Sequence, residues 1–310
     1  MRGARPGLVV RAVVVVATAG IAASGLTACG GSEGDGGRVG VVASFYPLQF
    51  VAERVGGDLV RVQNLVKPGA EPHDLELQPS QVAAIINADL VLYLGGFQPA
   101  VDDVAGQQPP AKALDVAGVA ALEAAPTSVA IQIESGPVEK DPHVWLDPTR
   151  LAAVGLAVAA RLAEIDPAHA GDYRAKAEAL RGQLTALDGE FARGLATCAR
   201  RDIITSHAAF GYLASRYDLH QIAVTGLSPD EEASPGRLAE VAQTARETGA
   251  TTIFFETLVS NRVAQTVAEE IGAKAAVLDP IEGREPGSTD DYFSIMRSNL
   301  TTLRSALGCQ

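Results

Sequence analysis

The chain has 310 residues, of which 47 % are hydrophobic and 20 % charged, and its formal net charge is −12. This length suits two domains of ordinary size or one large one, and the apolar content allows a substantial core. The acidic balance argues against nucleic acid as a partner, because binding to phosphates requires an excess of Lys and Arg. A cationic ligand is compatible with the charge.

The first 28 residues have the pattern of an export signal. Three arginines precede an apolar run, and the small residues of "LTAC" end at Cys29. The run over 13–23 is shorter than the roughly 20 residues that a membrane-spanning helix needs, which argues against an uncleaved anchor. We therefore expect cleavage before Cys29, lipid attachment to Cys29 and a flexible tether over 29–38. The mature chain would carry 22 basic and 37 acidic residues, a formal charge of −15.

Strand and helix patterns alternate through the first half of the mature chain. Buried-strand patterns occupy "RVGVVASFYPL", "LVRVQNLV" and "DLVLYLGG", and helical patterns occupy "LQFVAERVGG" and "PSQVAAIINA" between them. This order predicts a parallel sheet with helices on its faces. The signals weaken from Gln107 to Lys140, where "SVAIQIES" is a plausible strand. "DPTRLAAVGLAVAARLAEIDP" then predicts a helix that begins after Asp147-Pro148.

The longest periodic segment follows, with Asp166 as a helix cap and Pro167 in the first turn. Its apolar residues recur at steps of three and four and define one face, formed by Tyr173, Ala177, Leu180, Leu184, Leu187, Phe191 and Leu195. A helix over 167–196 would extend roughly 45 Å. It could therefore act as a rigid connection between two lobes.

The second half repeats the α/β alternation. Strand patterns occupy "RDIITSH", "HQIAVTGL", "TTIFFET" and "AKAAVLDP", and helical patterns follow each of them, ending with "DDYFSIMRSNLTTLRSALG". We expect two Rossmann-like α/β lobes with parallel sheets, joined by one long rigid helix. The expected boundaries are 39–166 for the first lobe, 167–196 for the linking helix and 197–310 for the second lobe.

Three of the five histidines lie where strands end and helices begin. His73 and His143 fall in the first half and His207 in the second, and Asp279 follows a strand in the same way. In parallel α/β sheets, ligands bind beyond the carboxyl ends of strands. We therefore predict a metal site in a cleft between the lobes, with these four residues as ligands. The remaining histidines, at 169 and 220, fit ordinary surface or core positions.

Three imidazoles and one carboxylate form a nitrogen and oxygen ligand set that zinc favours, whereas manganese prefers more carboxylate oxygen. The expected ligand is therefore Zn(II). The two cysteines of the mature chain, Cys198 and Cys309, would be in an oxidising setting after export. We expect a disulfide between them, worth on the order of 4–5 kcal/mol in the chain-entropy model, although two separate buried thiols are the alternative.

The chain resembles the zinc-type, cluster A-I substrate-binding lipoproteins of bacterial ABC importers. The stretches that carry the resemblance are "VVASFYPL", "VKPGAEPHD", "ADLVLYLG", "DPHVWLDP", "ITSHAAFGYLA", "GLSPDEEASP", "LDPIEG" and "YFSIMRSNLTTL". The resemblance implies one metal held in the cleft by His73, His143, His207 and Asp279. It also implies a monomer anchored by lipid to the outer face of the cytoplasmic membrane, with a membrane permease as its partner. Relatives of the manganese type carry a glutamate where this chain has His207, which favours zinc.

One departure is that many zinc-type relatives carry a histidine-rich acidic loop before the second ligand. This chain has no histidine in "TSVAIQIESGPVEKDPH" before His143, so auxiliary zinc capture there is not expected.

Three other functions stay open at this point. The protein could be a manganese-binding member of the same transport class, or an adhesin with a second partner. It could also be a zinc hydrolase, since three histidines can leave a position for water. Glu256 would then be the first carboxylate to test as a general base, although a buried acid hydrogen-bonded at a strand end is the more ordinary interpretation. The chain contains no HExxH, which makes an enzyme the less favoured reading.

Overall fold

A computed structural model describes residues 37–124 and 140–310, together with Gly3 and Gly7. The expected signal, the lipidation residue Cys29, nearly all of the tether and the strand expected in "SVAIQIES" lie outside the described residues. Residues 37–310 form one compact unit. None of the helices in the described residues is both long enough and apolar enough to cross a membrane.

The first lobe contains a parallel sheet in the order β2-β1-β3-β4. The central strand β1 is buried over most of its length, which explains its continuous apolar sequence, since helices cover both faces of a parallel sheet. The strands are β1 (Val39–Ala43), β2 (Val60–Asn64), β3 (Leu90–Tyr93) and β4 (Ala113–Asp115). The helices are α1 (Tyr46–Gly56), α2 (Pro79–Asn87), α3 (Pro99–Ala105) and α4 (Ala117–Ala120).

Two long helices follow and pack against each other and against α1. Helix α5 (Pro148–Ile165) begins at Asp147, whose carboxylate accepts a hydrogen bond from the Thr149 N–H. A 3₁₀ turn (Pro167–His169) leads into α6 (Ala170–Gly194). The expected apolar face of α6 is the buried one, and it contains Tyr173, Ala177, Leu180, Leu184, Leu187 and Phe191.

The second lobe repeats the strand order of the first, with a parallel sheet β6-β5-β7-β8. Its strands are β5 (Asp202–Thr205), β6 (His220–Ala223), β7 (Thr252–Phe255) and β8 (Lys274–Val277). Its helices are α7 (Gly211–Arg216), α8 (Pro235–Glu247), α9 (Arg262–Ile271) and α10 (Tyr292–Leu307). The prediction of two parallel-sheet α/β lobes with a long helix is confirmed.

Three short elements of the first lobe were not predicted from the sequence. Helix α3, strand β4 and helix α4 have only seven, three and four residues. Such segments are too short to display a repeat of 2 or 3.6 residues. Strand β4 nevertheless completes the first sheet, and the chain after it leads towards His143. A disulfide joins Cys198, just before β5, to Cys309, just after α10.

Candidate metal site

Four side chains from the two lobes converge on one point. His73 lies in the loop after β2, His143 at the start of the 3₁₀ turn (Val144–Leu146) that precedes α5, His207 just after β5, and Glu282 in the loop after β8. One nitrogen from each imidazole and one carboxylate oxygen of Glu282 all lie within 4.8 Å of one another. Among the described residues, this is the group of His, Cys, Asp and Glu side chains with a geometry that could hold a metal ion.

Four of the distances within this group lie near those of a tetrahedral zinc site. Glu282 Oε1 lies 3.1 Å from His143 Nε2, 3.2 Å from His207 Nε2 and 3.5 Å from His73 Nε2. The Nε2 atoms of His143 and His207 are 3.4 Å apart. A tetrahedron with zinc–ligand bonds of about 2.0–2.1 Å has ligand–ligand edges of about 3.3–3.4 Å. These four separations suit a zinc ion, and the others, which are at most 4.8 Å, would shorten as the ligands close on it.

His143 is oriented by a carboxylate behind its ring. Asp141 Oδ1 lies 2.8 Å from His143 Nδ1 and also accepts a hydrogen bond from the His143 backbone N–H. With Nδ1 as the donor in this pair, the lone pair of Nε2 points at the centre of the group. The ring is fully buried and packs on Trp145, with ring centroids 5.3 Å apart.

His207 is oriented in the same way by Glu256, at the end of β7. Glu256 Oε1 lies 2.5 Å from His207 Nδ1 and accepts a second hydrogen bond from the Ser206 hydroxyl. The backbone of His207 is also fixed, because its carbonyl accepts hydrogen bonds from Thr205 Oγ1 and Gln221 Nε2. Glu256 is therefore a buried acid that supports a candidate ligand.

His73 is held from its backbone and by an aromatic wall. Glu71 Oε2 accepts a hydrogen bond from the His73 N–H, and Gln98 Nε2 donates to the carbonyl of Pro72. The Phe97 ring contacts the imidazole edge to face, with centroids 4.6 Å apart. His73 is 10 % exposed, whereas the side chains of the other three candidate ligands are at most 2 % exposed. Solvent therefore reaches the group most readily from the His73 side.

The pKa values of the group reflect competition between burial and charge. Burial lowers the pKa of His73 below its usual value. Burial also acts to lower the pKa of His143 and His207, but their carboxylate partners outweigh it. The pKa of His143 is raised, mainly by Asp141 and Glu282, and that of His207 is raised to about 10 by Glu256 and Glu282. Burial acts to raise the pKa of Glu282, but contact with the imidazoles holds it well below its usual value.

The arrangement places hydrogen-bond acceptors against one another. When His143 and His207 donate from Nδ1 to their carboxylates, both Nε2 lone pairs face the ionised oxygen of Glu282. These atoms repel one another unless a proton or a metal ion lies between them. The raised pKa values of His143 and His207 reflect this contact, since a proton on either Nε2 relieves the repulsion. A divalent cation can replace such a proton and satisfy all four atoms.

Asp279, expected from the sequence to supply the carboxylate, lies outside the converging group, and this expectation is corrected. Its Oδ1 accepts a hydrogen bond from the Ile281 N–H at 2.7 Å, and its Oδ2 from Thr257 Oγ1 at 3.3 Å. The side chain borders a cavity of about 240 Å³ that Thr257 and Asn299 also line. The Asp279 carboxylate thus contacts the backbone two residues further along the chain, and Glu282 is the carboxylate that lies among the three imidazoles.

Two residues near the site were not identified as such from the sequence. Glu282 lies three positions after Asp279 in "LDPIEG", where the Asp-Pro pair signals a turn but does not indicate which carboxylate enters the site. Asp141 lies two positions before His143 in "DPH", where the sequence signal indicates only a turn. Of the histidines set aside, His169 contacts Asp166 and His220 lies near Asp202, both away from the converging group.

Two parallel-sheet α/β lobes that meet at a buried site of three imidazoles and one carboxylate define a metal-binding protein of the solute-binding class. The family model described as "Zinc-uptake complex component A periplasmic" (ZnuA) matches residues 41–306. The match covers more than half of the chain, and the chain belongs to this family.

Individual relatives give the same result. The zinc-binding protein AdcA of Streptococcus pyogenes serotype M6 is 33 % identical over 287 residues, which cover 86 % of this chain and 56 % of AdcA. The chain thus spans little more than half the length of this relative. The high-affinity zinc uptake system protein ZnuA of Bacillus subtilis is 31 % identical over 288 residues, with 90 % of both chains covered.

Solved structures share the fold over most of the chain. The Zn(II)-bound ZnuA-like domain of Streptococcus pneumoniae AdcA superposes with a TM-score of 0.74 at 31 % identity, covering 87 % of this chain and 99 % of that one. The laminin-binding protein Lmb of Streptococcus agalactiae, described as a bifunctional protein with adhesin and metal-transporting activity, gives a TM-score of 0.78 at 30 % identity. The match covers 87 % of this chain and 99 % of Lmb.

Proposed function

We propose that the protein captures Zn(II) outside the cytoplasm and delivers it to an ABC permease for uptake. The observation that carries the proposal is the convergence of four acceptor atoms, from both lobes, within 4.8 Å of one another. The ligands are His73, His143, His207 and Glu282. Three nitrogens and one oxygen favour zinc over manganese, which prefers a shell richer in oxygen.

The N-terminal sequence supports a setting for the protein outside the cytoplasm. Cleavage before Cys29 and acylation of that cysteine would anchor a monomer to the outer face of the cytoplasmic membrane. One relative, from Streptococcus pneumoniae serotype 4, is named zinc-binding lipoprotein AdcA, and this name supports the proposed lipid anchor. The disulfide between Cys198 and Cys309 is consistent with an oxidising compartment.

A hydrolase would need a free carboxylate beside an open metal position. The carboxylate considered for that role, Glu256, is 4 % exposed and hydrogen-bonded to His207 and Ser206. Glu282 occupies the fourth position of the candidate shell. Both observations favour binding of the ion over chemistry on a substrate.

Metal analysis and calorimetric titration of the purified protein with zinc and with manganese test the proposal. We expect one zinc per chain and much weaker binding of manganese. His207→Ala and Glu282→Gln should each weaken zinc binding by more than about 100-fold, because loss of a direct ligand exceeds the 10- to 100-fold cost of losing an outer partner. His220→Ala, at an exposed histidine away from the site, is the matched control. Equal affinity for manganese, or no loss in His207→Ala, would contradict the assignment.

A further inference from the structure

The backbone next to the candidate ligand Glu282 has an unusual conformation. Ile281 has a φ of 59°, in the left-handed region, which a β-branched residue rarely adopts. Its side chain is fully buried, so packing keeps the residue in place. Such a conformation persists only where the surroundings impose it, and it is found preferentially at functional sites.

Asp279 supplies the contact that holds this conformation. Pro280 has no N–H, so the first backbone donor after Asp279 is that of Ile281, and Asp279 Oδ1 accepts from it at 2.7 Å. Asn299 on α10 clamps the backbone of Asp279 on both sides. Its Oδ1 accepts from the Asp279 N–H at 2.9 Å, and its Nδ2 donates to the Asp279 carbonyl at 2.7 Å.

The rest of the turn is held from the side of the first lobe. Trp145 Nε1 donates to the Pro280 carbonyl at 2.6 Å. On the far side of Glu282, Gly283 packs closely, since a Cβ there would lie 2.8 Å from Leu258 Cδ1 and 3.3 Å from the Ala70 carbonyl oxygen. Glu282 is therefore presented by a short turn fixed at both of its ends.

We propose that Asp279 is a positioning residue for zinc binding: its carboxylate holds Ile281 in the left-handed conformation and thereby keeps Glu282 directed at the three imidazoles. In this role, Asp279 needs an oxygen placed to accept the hydrogen bond from the Ile281 N–H, and it does not need a negative charge. The inference rests on the proposed zinc function and refines how the fourth ligand is placed.

A pair of variants separates geometry from charge. Asp279→Asn keeps an acceptor oxygen at the same position and removes the charge, so zinc affinity should stay within about threefold of the wild type. Asp279→Glu keeps the charge but moves the carboxylate by one methylene, so affinity should fall about 10- to 100-fold, the usual cost of losing an outer-shell partner. Competition with a chromophoric chelator gives the dissociation constants. Circular dichroism of the metal-free variants confirms that each is folded, and Asp279→Ala replaces the glutamate variant if that variant fails to fold.

Cobalt(II) spectra provide a readout that a purely structural role would not change. The intense visible bands of four-coordinate cobalt should persist in Asp279→Asn and weaken in Asp279→Glu, because a displaced Glu282 leaves the shell incomplete. Loss of affinity in Asp279→Asn, or retention in Asp279→Glu, would overturn the inference. Failure of the proposed function looks different: wild type would not bind zinc, or Glu282→Gln would bind it as tightly as wild type.

Discussion

Glu256 Oε1 lies 2.5 Å from His207 Nδ1, on the side of the imidazole opposite the atom that faces Glu282. This contact fixes both the tautomer and the orientation of the ring, since a ring nitrogen that donates to a carboxylate leaves the other nitrogen free for a metal. The Asp141 contact with His143 repeats the arrangement. Two of the three candidate imidazoles are thus preorganised from outside the ligand shell.

Removal of the Glu256 carboxylate is expected to weaken zinc binding without abolishing it. We expect Glu256→Ala to lower zinc affinity about 10- to 100-fold, because His207 loses the acceptor that orients it. Glu256→Gln should lose less, since its amide oxygen can still accept from Nδ1. Calorimetric titration measures both, with Glu269→Gln on the exposed surface of α9 as the control. An affinity unchanged in Glu256→Ala would show that the ring is held by packing alone.

Zinc binding is expected to release protons across the neutral pH range. In the metal-free protein, burial acts to lower the pKa of His207, but the charges of Glu256 and Glu282 raise it to about 10. The imidazole is therefore protonated below that pH, and zinc must displace the proton. Affinity should consequently rise with pH up to about pH 10, by about tenfold per pH unit for each proton displaced.

Calorimetry at pH 7 in two buffers with different ionisation enthalpies counts the released protons. We expect on the order of one or more protons per zinc, because the pKa of His143 is also raised. His220→Gln, which removes an exposed histidine, should leave the count unchanged. A zinc affinity that stays constant between pH 6 and pH 8 would contradict this reading of the site.

The sequence was sufficient to predict the two lobes, because strand ends in a parallel sheet are marked by local patterns. The three histidines that it singled out at strand ends lie together in the structure. The sequence was not sufficient to choose between Asp279 and Glu282. That choice depends on the left-handed backbone of Ile281 and on contacts from distant parts of the chain to the residues before it, from Asn299 on α10 to Asp279 and from Trp145 to Pro280. Contacts between distant parts of the chain produce no recognisable sequence pattern around Glu282, so they could not be predicted from the sequence.

The disulfide is expected to stabilise the fold without affecting the site. Cys198 and Cys309 are separated by 111 residues, and closing a loop of that length contributes about 4–5 kcal/mol in the chain-entropy model. Replacing both cysteines by serine should lower the free energy of unfolding by up to that amount, as measured by denaturant titration. Zinc affinity should stay the same, because Cys198 precedes β5 and thus lies at the amino edge of the sheet, whereas His207 follows β5 at the carboxyl edge. Equal stability of the double variant and wild type, or a parallel loss of zinc affinity, would contradict this separation between structural and binding roles.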